Sequence, residues 1–459
     1  MNTSWILFWI ASMTFFMQSL DTTMLYIAIP AIADSLHQPV LHMEMIVISY
    51  VITVVAFTPV NGWLAERLGE RKTYLLAISI FMVGSLLCTT ANSVISLSAF
   101  RFIQGIGGAL MLPIIRTVIL RTTPQTMKLR FLNRITLLGL LGTMIGPILG
   151  SLVINYFSWR SLFIFNIPLS LCCFFLAKRF IPNEQRGETE RKVDPYGLTL
   201  LVIMLFLAAF TLTALPKDII PMPIALLLCA SGVGLAFLYF KRDITQKASL
   251  FPASLFEIKT FSIGMAGSVL TRILLSSIPV VLSLVLQTTL SCQPVETSMV
   301  LLLFSSGALL SKLLFESMIK RTGYRRLLLM TTCFTSVCIL ALSVAVQEKS
   351  MMQIGMIATV LGILISTLHS AESTLAFSNL NHDTYNSGNT MLTTSQLISV
   401  MVSMALTFPI LRFLSRFELT FNLNSFSLLF LLLGIGLPIC CLIFNRLNDD
   451  DGQHFIHGR

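Results

Sequence analysis

Charge is scarce in this sequence: 11% of its 459 residues carry it, against an apolar share of 55% and a mean hydropathy of +0.83. A soluble chain would need roughly a quarter of its residues charged to cover its surface, so a water-soluble globular domain is excluded. Regular apolar–polar alternation over stretches of about ten residues is also missing, which excludes a barrel of strands. The phosphate-binding pattern GxxxxGK[ST] does not occur, so no ATP site of that kind is encoded. Nor is there a basic–aromatic patch or a soluble nucleic-acid module. The nine cysteines fall mostly inside apolar runs, as at Cys172–Cys173 and Cys440–Cys441, and only Cys292 lies in an expected outer loop. That usage predicts no disulfide framework, and nothing has the ligand spacing of a zinc site. No metal or cofactor is expected.

What the sequence does contain is a succession of apolar runs of about twenty residues, long enough to cross a bilayer. Lipid offers the backbone no hydrogen-bond partners, so these runs must be helices. Counting them predicts fourteen spans, centred near residues 20, 54, 84, 108, 143, 171, 206, 230, 274, 306, 335, 364, 399 and 432. The first, from Trp5 to about Ala33, lacks a basic leader and a small-residue cleavage site. It reads as a retained helix rather than a signal peptide. The ninth, Thr260–Thr289, is long enough to be one tilted helix broken near Pro279. An even number of spans puts both termini on one side. Of the 31 Lys and Arg residues, 22 then fall on that side, five on the other (Arg160, Lys217, Lys349, Arg412 and Arg416) and four within spans. Basic loops gather on the cytoplasmic face. Both termini are therefore expected to be cytoplasmic, in an inner (plasma) membrane, and the net charge of +10 is a topology signal.

The polar stretch Ile181–Tyr196 and a second connector, Lys241–Lys259, bracket spans seven and eight as a two-helix insert. The expected division is an N-terminal six-helix bundle over 1–180, a linker and insert over 181–259, and a C-terminal six-helix bundle with a short tail over 260–459. An internal repeat supports it. The basic turn GWLAERLGERK at Gly62–Lys72 returns faintly as ESMIKRTGYRR at Glu316–Arg326. Aligned on Gly69 and Gly323, the two also match at Arg67/Arg321 and Arg71/Arg325. Parallel repeats of this kind are a transporter plan, with the substrate site near the midplane where the halves meet. Lacking an ATP site, such a chain draws on an ion gradient or runs downhill, unless a partner chain hydrolyses ATP.

Five stretches carry a resemblance. Gly62–Lys72 resembles the loop between the second and third helices of the major facilitator superfamily, with Glu66 where Asp is usual. Arg101, Gln104 and Gly105 in LSAFRFIQGIGGA match the superfamily's fourth-helix RxxQG motif. GTMIGPILGS at Gly142–Ser151 is similar to the antiporter motif GxxxGPxxGG of helix five, with Ser151 in place of the last Gly. LDTTMLYIAIP at Leu20–Pro30 resembles the first-helix LDxTxVNxALP, except that Tyr26 replaces Asn. WRSLFIFNIP at Trp159–Pro168 matches the start of helix six. The resemblance spans the chain and is closest to the 14-helix drug:proton antiporter branch. It implies an all-α polytopic membrane protein with the major facilitator fold, fourteen helices arranged 6+2+6.

Each motif also has a physical reading. In the basic turn, Gly62 and Gly69 permit close backbone approach, while Glu66, Arg67 and Arg71 can bridge helix ends. The family implies a gating latch there; a solvated basic loop is the plainer reading. Gly142, Gly146 and Gly150 are four apart and share one helical face, where small residues allow close helix contact. Pro147 removes a backbone donor and can bend the helix. Plain packing and a hinge are both compatible with that pattern, which the family associates with antiport.

Charges inside spans cost roughly 2.5–3.5 kcal/mol each on insertion scales, so those present need a reason. Asp21 and Arg101 lie at comparable depths in the outer parts of spans one and four. Desolvation favours a proton on a carboxylate and a nearby cation opposes it, a competition that would let Asp21 take and release a proton. The alternative is a static pair holding two helices together. His369 and Glu372 are three apart on span twelve and share a face; a second proton site, a cation contact and a polar vestibule all fit. Lys312 and Glu316 on span ten read as a local ion pair. Arg116 and Arg272 are left without an assigned acid, so excess positive charge in the cavity favours anionic cargo unless Arg116 reaches the interface. Met17, Gln18, Tyr26, Met111, Met144, Phe304 and Phe315 offer adaptable cavity packing or, equally, contacts with lipid and neighbouring helices.

The expectation is a monomeric, proton-coupled exporter of small organic molecules working by alternating access, not an enzyme. Its partners are a small-molecule substrate, protons and the lipid bilayer, with no nucleic acid. One rival is an exporter of an organic anion, such as a carboxylate metabolite or its metal chelate. An importing symporter is opposed by the helix-five motif, and a transport-inactive membrane sensor by the absence of a sensory domain.

Overall fold

The computed structural model describes residues 3–123, 125–183, 253–380, 382–417 and 423–452, with the isolated positions 203, 207, 231 and 234. Among these residues the only regular structure is helix. The spans expected near residues 206 and 230, and most of the 181–259 linker and insert, lie outside the described residues. Eleven described stretches are long and apolar enough to cross a bilayer. One of them, Pro294–Gln347, is divided at Gly323, which gives a crossing length at each of the other twelve expected centres. The chain falls into two compact units, Met1–Phe240 and Lys241–Arg459.

In the first unit, α1 (Thr3–Ser35) is followed by α2 (Glu44–Phe57) and α3 (Val60–Leu68), separated where Pro59 removes a backbone donor. Then come α4 (Glu70–Thr89), α5 (Val94–Thr122), α6 (Gln125–Tyr156), the short α7 (Ser161–Ile164) and α8 (Asn166–Phe180). The start of α5 is fixed by a reciprocal cap. Ser93 Oγ accepts from Ser96 N and Ser93 N donates to Ser96 Oγ, both at 3.1 Å, satisfying donors that a helix N-terminus leaves open. Helix α1 packs on α5, α6 and α8, and α5 packs on α2 and α4. The apolar core lies towards the end that carries Gly69. There Leu7, Ile10, Tyr74, Ile78, Ile115, Ile119, Phe131 and Ala177 are buried together. One polar link across it joins Thr14 Oγ1 to Tyr74 Oη at 2.6 Å.

The second unit opens with α9 (Lys259–Leu275) and α10 (Ile278–Thr288). These are the two pieces of the ninth span, broken at Ser276–Ser277 because Pro279 cannot donate and so takes a place in the first turn of a new helix. Next are α11 (Pro294–Gln347), α12 (Met351–Phe377), α13 (His382–Ser415), α14 (Ser425–Gly436) and α15 (Ile439–Phe444). Helix α11 packs on α10, α12 and α14, while α9 packs on α12 and α13. Gly307 and Gly362 set the α11–α12 approach. A Cβ at either would run into a main-chain carbonyl of the facing helix, Thr359 and Phe304 respectively, as expected where small residues let helix backbones meet.

Candidate functional site

Asp21, on α1, sits in a cage drawn from four other helices. Arg101 Nη1 donates to its Oδ2 at 2.6 Å. Its Oδ1 accepts from Gln104 Nε2 at 3.0 Å and from Asn166 Nδ2 at 2.6 Å. Arg101 also donates to Gln104 Oε1 at 2.7 Å, and Gln104 in turn donates to Ser85 Oγ on α4 at 2.8 Å. The Arg101 guanidinium lies 4.3 Å from the Tyr50 ring centre, a cation–π contact from α2. The side chains of Arg101 and Asp21 are only 1% and 2% exposed. The RxxQG motif thus has a local cause. Residues three apart on a helix share a face, so Arg101 and Gln104 reach the same carboxylate. Gly105 leaves room for α2: a Cβ there would lie 2.9 Å from the Tyr50 carbonyl oxygen. The sequence does not single out Asn166 as a partner of Asp21, nor Ser85 and Tyr50 as the contacts of Gln104 and Arg101. Asn166 had a signal, an amide standing alone in the apolar run FIFNIPL of the sixth span.

The glycines of α6 face the same stretch of α1. A Cβ at Gly142 would lie 2.7 Å from the Phe16 carbonyl oxygen, and one at Gly150 would lie 3.1 Å from Met24 Cα. At Gly146 it would meet the Thr23 hydroxyl. Pro147 lies inside this helix. The stripe therefore seats α6 on the backbone that flanks Asp21, and the depth of that carboxylate depends on it. Met17 and Met111 belong to the buried core of this unit, and Gln18 Nε2 donates to the Gly108 carbonyl at 2.5 Å. All three hold helices together here.

In the second unit, Glu372 on α12 is fully buried. It accepts from Thr271 Oγ1 at 2.8 Å and from Arg272 Nη1 at 3.5 Å, both on α9. Arg272 therefore does have an acid, contrary to the expectation from sequence, because α9 packs on α12. Arg272 also donates to Ser268 Oγ at 2.7 Å. Lys312 does not pair with Glu316. Its ammonium donates to Ser370 Oγ on α12 at 2.5 Å, while Glu316 takes Lys320, one turn further on, at 2.6 Å. His369 Nε2 is buried without a partner among the described residues. Arg116, in the first unit, is half-buried, with its guanidinium 5.4 Å from the Phe15 ring centre and its Nε buried and unpartnered among the described residues.

The basic turn is tighter than its eleven residues suggest. Helix α3 runs to Leu68 and α4 begins at Glu70, so Gly69 alone reverses the chain, at φ 85° and ψ 150°. Gly323 does the same inside α11, at φ 70° and ψ 171°. Arg71 Nη2 donates to the Lys178 carbonyl at the end of α8. Its counterpart Arg325 donates to Asn445 Oδ1 at 2.8 Å and to Asp449 Oδ1 at 3.4 Å, just past α15. Each arginine thus ties its turn to the C-terminal end of a later helix, α8 in the first unit and α15 in the second. Two expectations need correcting. The acid that bridges helices here is Glu70, which pairs with Arg121 at 3.0 Å, whereas Glu66 is exposed. Gly62 serves no close approach, since a Cβ there would meet no described atom within 4 Å. Arg67 instead lies over the ring of Trp63, one turn back, at 5.3 Å.

The sequence profile of the Major Facilitator Superfamily matches residues 11–271. MdtD of Salmonella dublin, provisionally named a multidrug resistance protein, is 31% identical over 464 aligned positions, covering 100% of this chain and 98% of that protein. The similarly named protein of Escherichia coli O17:K52:H18 is 32% identical over 406, covering 88% and 85%. Among solved structures, the POT family transporter PepTSo superposes with a TM-score of 0.71 at 13% identity, covering 100% of this chain and 99% of that one. A D-xylose-proton symporter gives 0.69 at 13% identity, covering 98% and 99%. At such identities the structural likeness is one of fold. The matched profile and the full-length relatives go further: the chain belongs to the major facilitator superfamily and is a membrane transporter, not an enzyme.

Proposed function

We propose that the chain exports small organic molecules in exchange for protons, by alternating access. Fourteen spans in a 6+2+6 order in the inner membrane, with the Gly69 and Gly323 turns and both termini cytoplasmic, complete the reading. The relatives' names point to drug efflux. The observation that carries proton coupling is the carboxylate of Asp21, a titratable group buried within a span and addressed by three separate side chains. Every group that bonds it is an N–H donor, an arrangement suited to an acceptor-only carboxylate. A protonated Asp21 would need an acceptor. Asn166 Oδ1 is buried without a partner among the described residues, and rotation of that amide would present it to the new O–H. Proton uptake then requires Arg101 and Gln104 to loosen their hold, which links the proton to a rearrangement of α1 against α5. The α6 glycine stripe, seated on α1, is placed to pass that rearrangement on, and the Arg71 tie is the candidate latch.

The test is Asp21→Asn in proteoliposomes with an imposed pH gradient. Substrate-dependent proton movement should vanish while the protein stays folded. Exchange at the normal rate would end the coupling role of Asp21.

A second reading has its own observation. In the second unit two cations of spanning helices, Arg272 and Lys312, lie near each other, and only Arg272 bonds a carboxylate, Glu372. That surplus favours an organic anion, free or as a metal chelate, over the lipophilic cations of multidrug pumps.

A further inference from the structure

The ion pair of the second unit differs from that of the first in a way that points to a ligand. Asp21 and Arg101 meet at 2.6 Å and are sealed. Arg272 and Glu372 meet at 3.5 Å, through one nitrogen that Ser268 also claims, and the Arg272 side chain keeps 13% of its surface exposed. Lys312 is exposed, and the partner found for its ammonium is an uncharged hydroxyl, Ser370 Oγ. That hydroxyl has already spent its proton on the Ser366 carbonyl, so it can only accept. Arg272 and Lys312 are close enough to repel each other, and both act on His369, whose Nε2 is buried without a partner among the described residues. Gln396 adds an amide that bonds Ser268 and Ser373 at 3.3 and 3.2 Å. Arg272 from α9 and Cys440 from α15 are the charged and titratable groups that act on Glu372 among the described residues, while Lys312 from α11 and His369 on α12 group with Arg272. Arg272 thus has one long bond to a carboxylate, and the nearby Lys312 has only a hydroxyl, in a place that costs roughly 2.5–3.5 kcal/mol per charge.

We propose that Glu372 is the resident counter-ion of an anion site made by Arg272 and Lys312, and that an organic carboxylate enters by displacing it from Arg272. The substrate's carboxylate takes the guanidinium and the ammonium. Glu372 keeps Thr271 and gives up its longer bond. His369 supplies a further polar edge for the rest of the anion. This rests on reading the chain as a transporter of small organic molecules, and it fixes the charge of the cargo.

The test uses three probes of one shape and different charge: benzoate, benzamide and benzamidine. Binding to the purified full chain in detergent is measured by calorimetry, without any gradient. Benzoate should be preferred over both others. Glu372→Gln removes the competitor and should tighten benzoate binding about tenfold, whereas Lys312→Gln should weaken it about tenfold, the change that 1.4 kcal/mol represents. Lys312 is exposed, so this variant should keep its fold even where Arg272→Gln does not. Preference for benzamidine, equal benzoate affinity in all three proteins, or no benzoate binding even to Glu372→Gln would overturn the site. If benzoate binds as expected but vesicles show no proton-linked efflux, the export reading fails and the site stands. Efflux with no charge preference fails the site alone.

Discussion

Gly323 repeats the backbone of Gly69. At φ 70° and 85° with ψ 171° and 150°, both occupy a region that side chains rarely enter, and each alone reverses the chain between two helices. The arginine two residues on ties the turn to the end of a later helix in both units, through a main-chain carbonyl in one and side chains in the other. Between two turns set 254 residues apart, the glycine and that arginine are the shared working parts.

Gly69→Ala should therefore cost about 1–3 kcal/mol, the usual penalty for a side chain held in that region, and Gly323→Ala should cost about the same. Gly62→Ala, where the added methyl meets no described atom, should be neutral. Thermal or denaturant unfolding in detergent would separate the three. Equal stability across them would show that the turn can relax.

At Asp21 the conservative and the apolar substitution should part company. Asp21→Asn keeps the shape and some of the hydrogen bonding, and should abolish proton coupling with modest loss of stability. Asp21→Leu leaves Arg101 charged, 1% exposed and unpaired, and should cost about 3–5 kcal/mol, as for any buried pair broken on one side. Folded yield and melting temperature report the second effect, and proteoliposome transport the first.

Asn166→Leu removes both a donor to Asp21 at 2.6 Å and the unused acceptor beside it. Losing a hydrogen bond to a charged group costs about 1.5–3 kcal/mol. Beyond that stability loss, substrate addition in weakly buffered detergent should release fewer protons per protein. If proton release matches the parent protein, Asn166 only supports the fold.

The α6 glycines should rank by what their new methyl would strike. Gly142→Ala drives a carbon towards a main-chain carbonyl of α1 and cannot be relieved by a side-chain rotation. Gly150→Ala meets backbone at 3.1 Å, which a small shift can absorb. Overpacking typically costs about 1–3 kcal/mol, and Gly142→Ala should lie at the upper end and Gly150→Ala at the lower. A reversed order in unfolding experiments would place α6 differently against α1.

Much of this was readable from the sequence because a bilayer imposes simple rules. Hydropathy placed the spans seen among the described residues, and the proline rule placed the break near Pro279. Spacing within one helix also carried far: Arg101 and Gln104 share a face, as do the three glycines of α6. What sequence could not supply was the neighbour across a helix interface. That is why Asn166, Ser85 and Tyr50 went unassigned around Asp21, and why Arg272 looked unpaired although Glu372 lay a hundred residues away. Glu316 is a different kind of miss. It has Lys312 four residues before it and Lys320 four after. An acid on the N-terminal side of its base is the better order in a helix, which favours Lys320, the partner observed.

The two ion pairs differ in more than length and exposure. In the first unit the acid stands on the first spanning helix and the base on the fourth; in the second unit they have changed places. The two units thus keep the same glycine and arginine at the turn while their ion pairs place acid and base oppositely. A chain so made can alter what one copy titrates or binds while the other keeps its role. Changes of cargo in this lineage should therefore be sought around Arg272 and Glu372 before they are sought at Asp21.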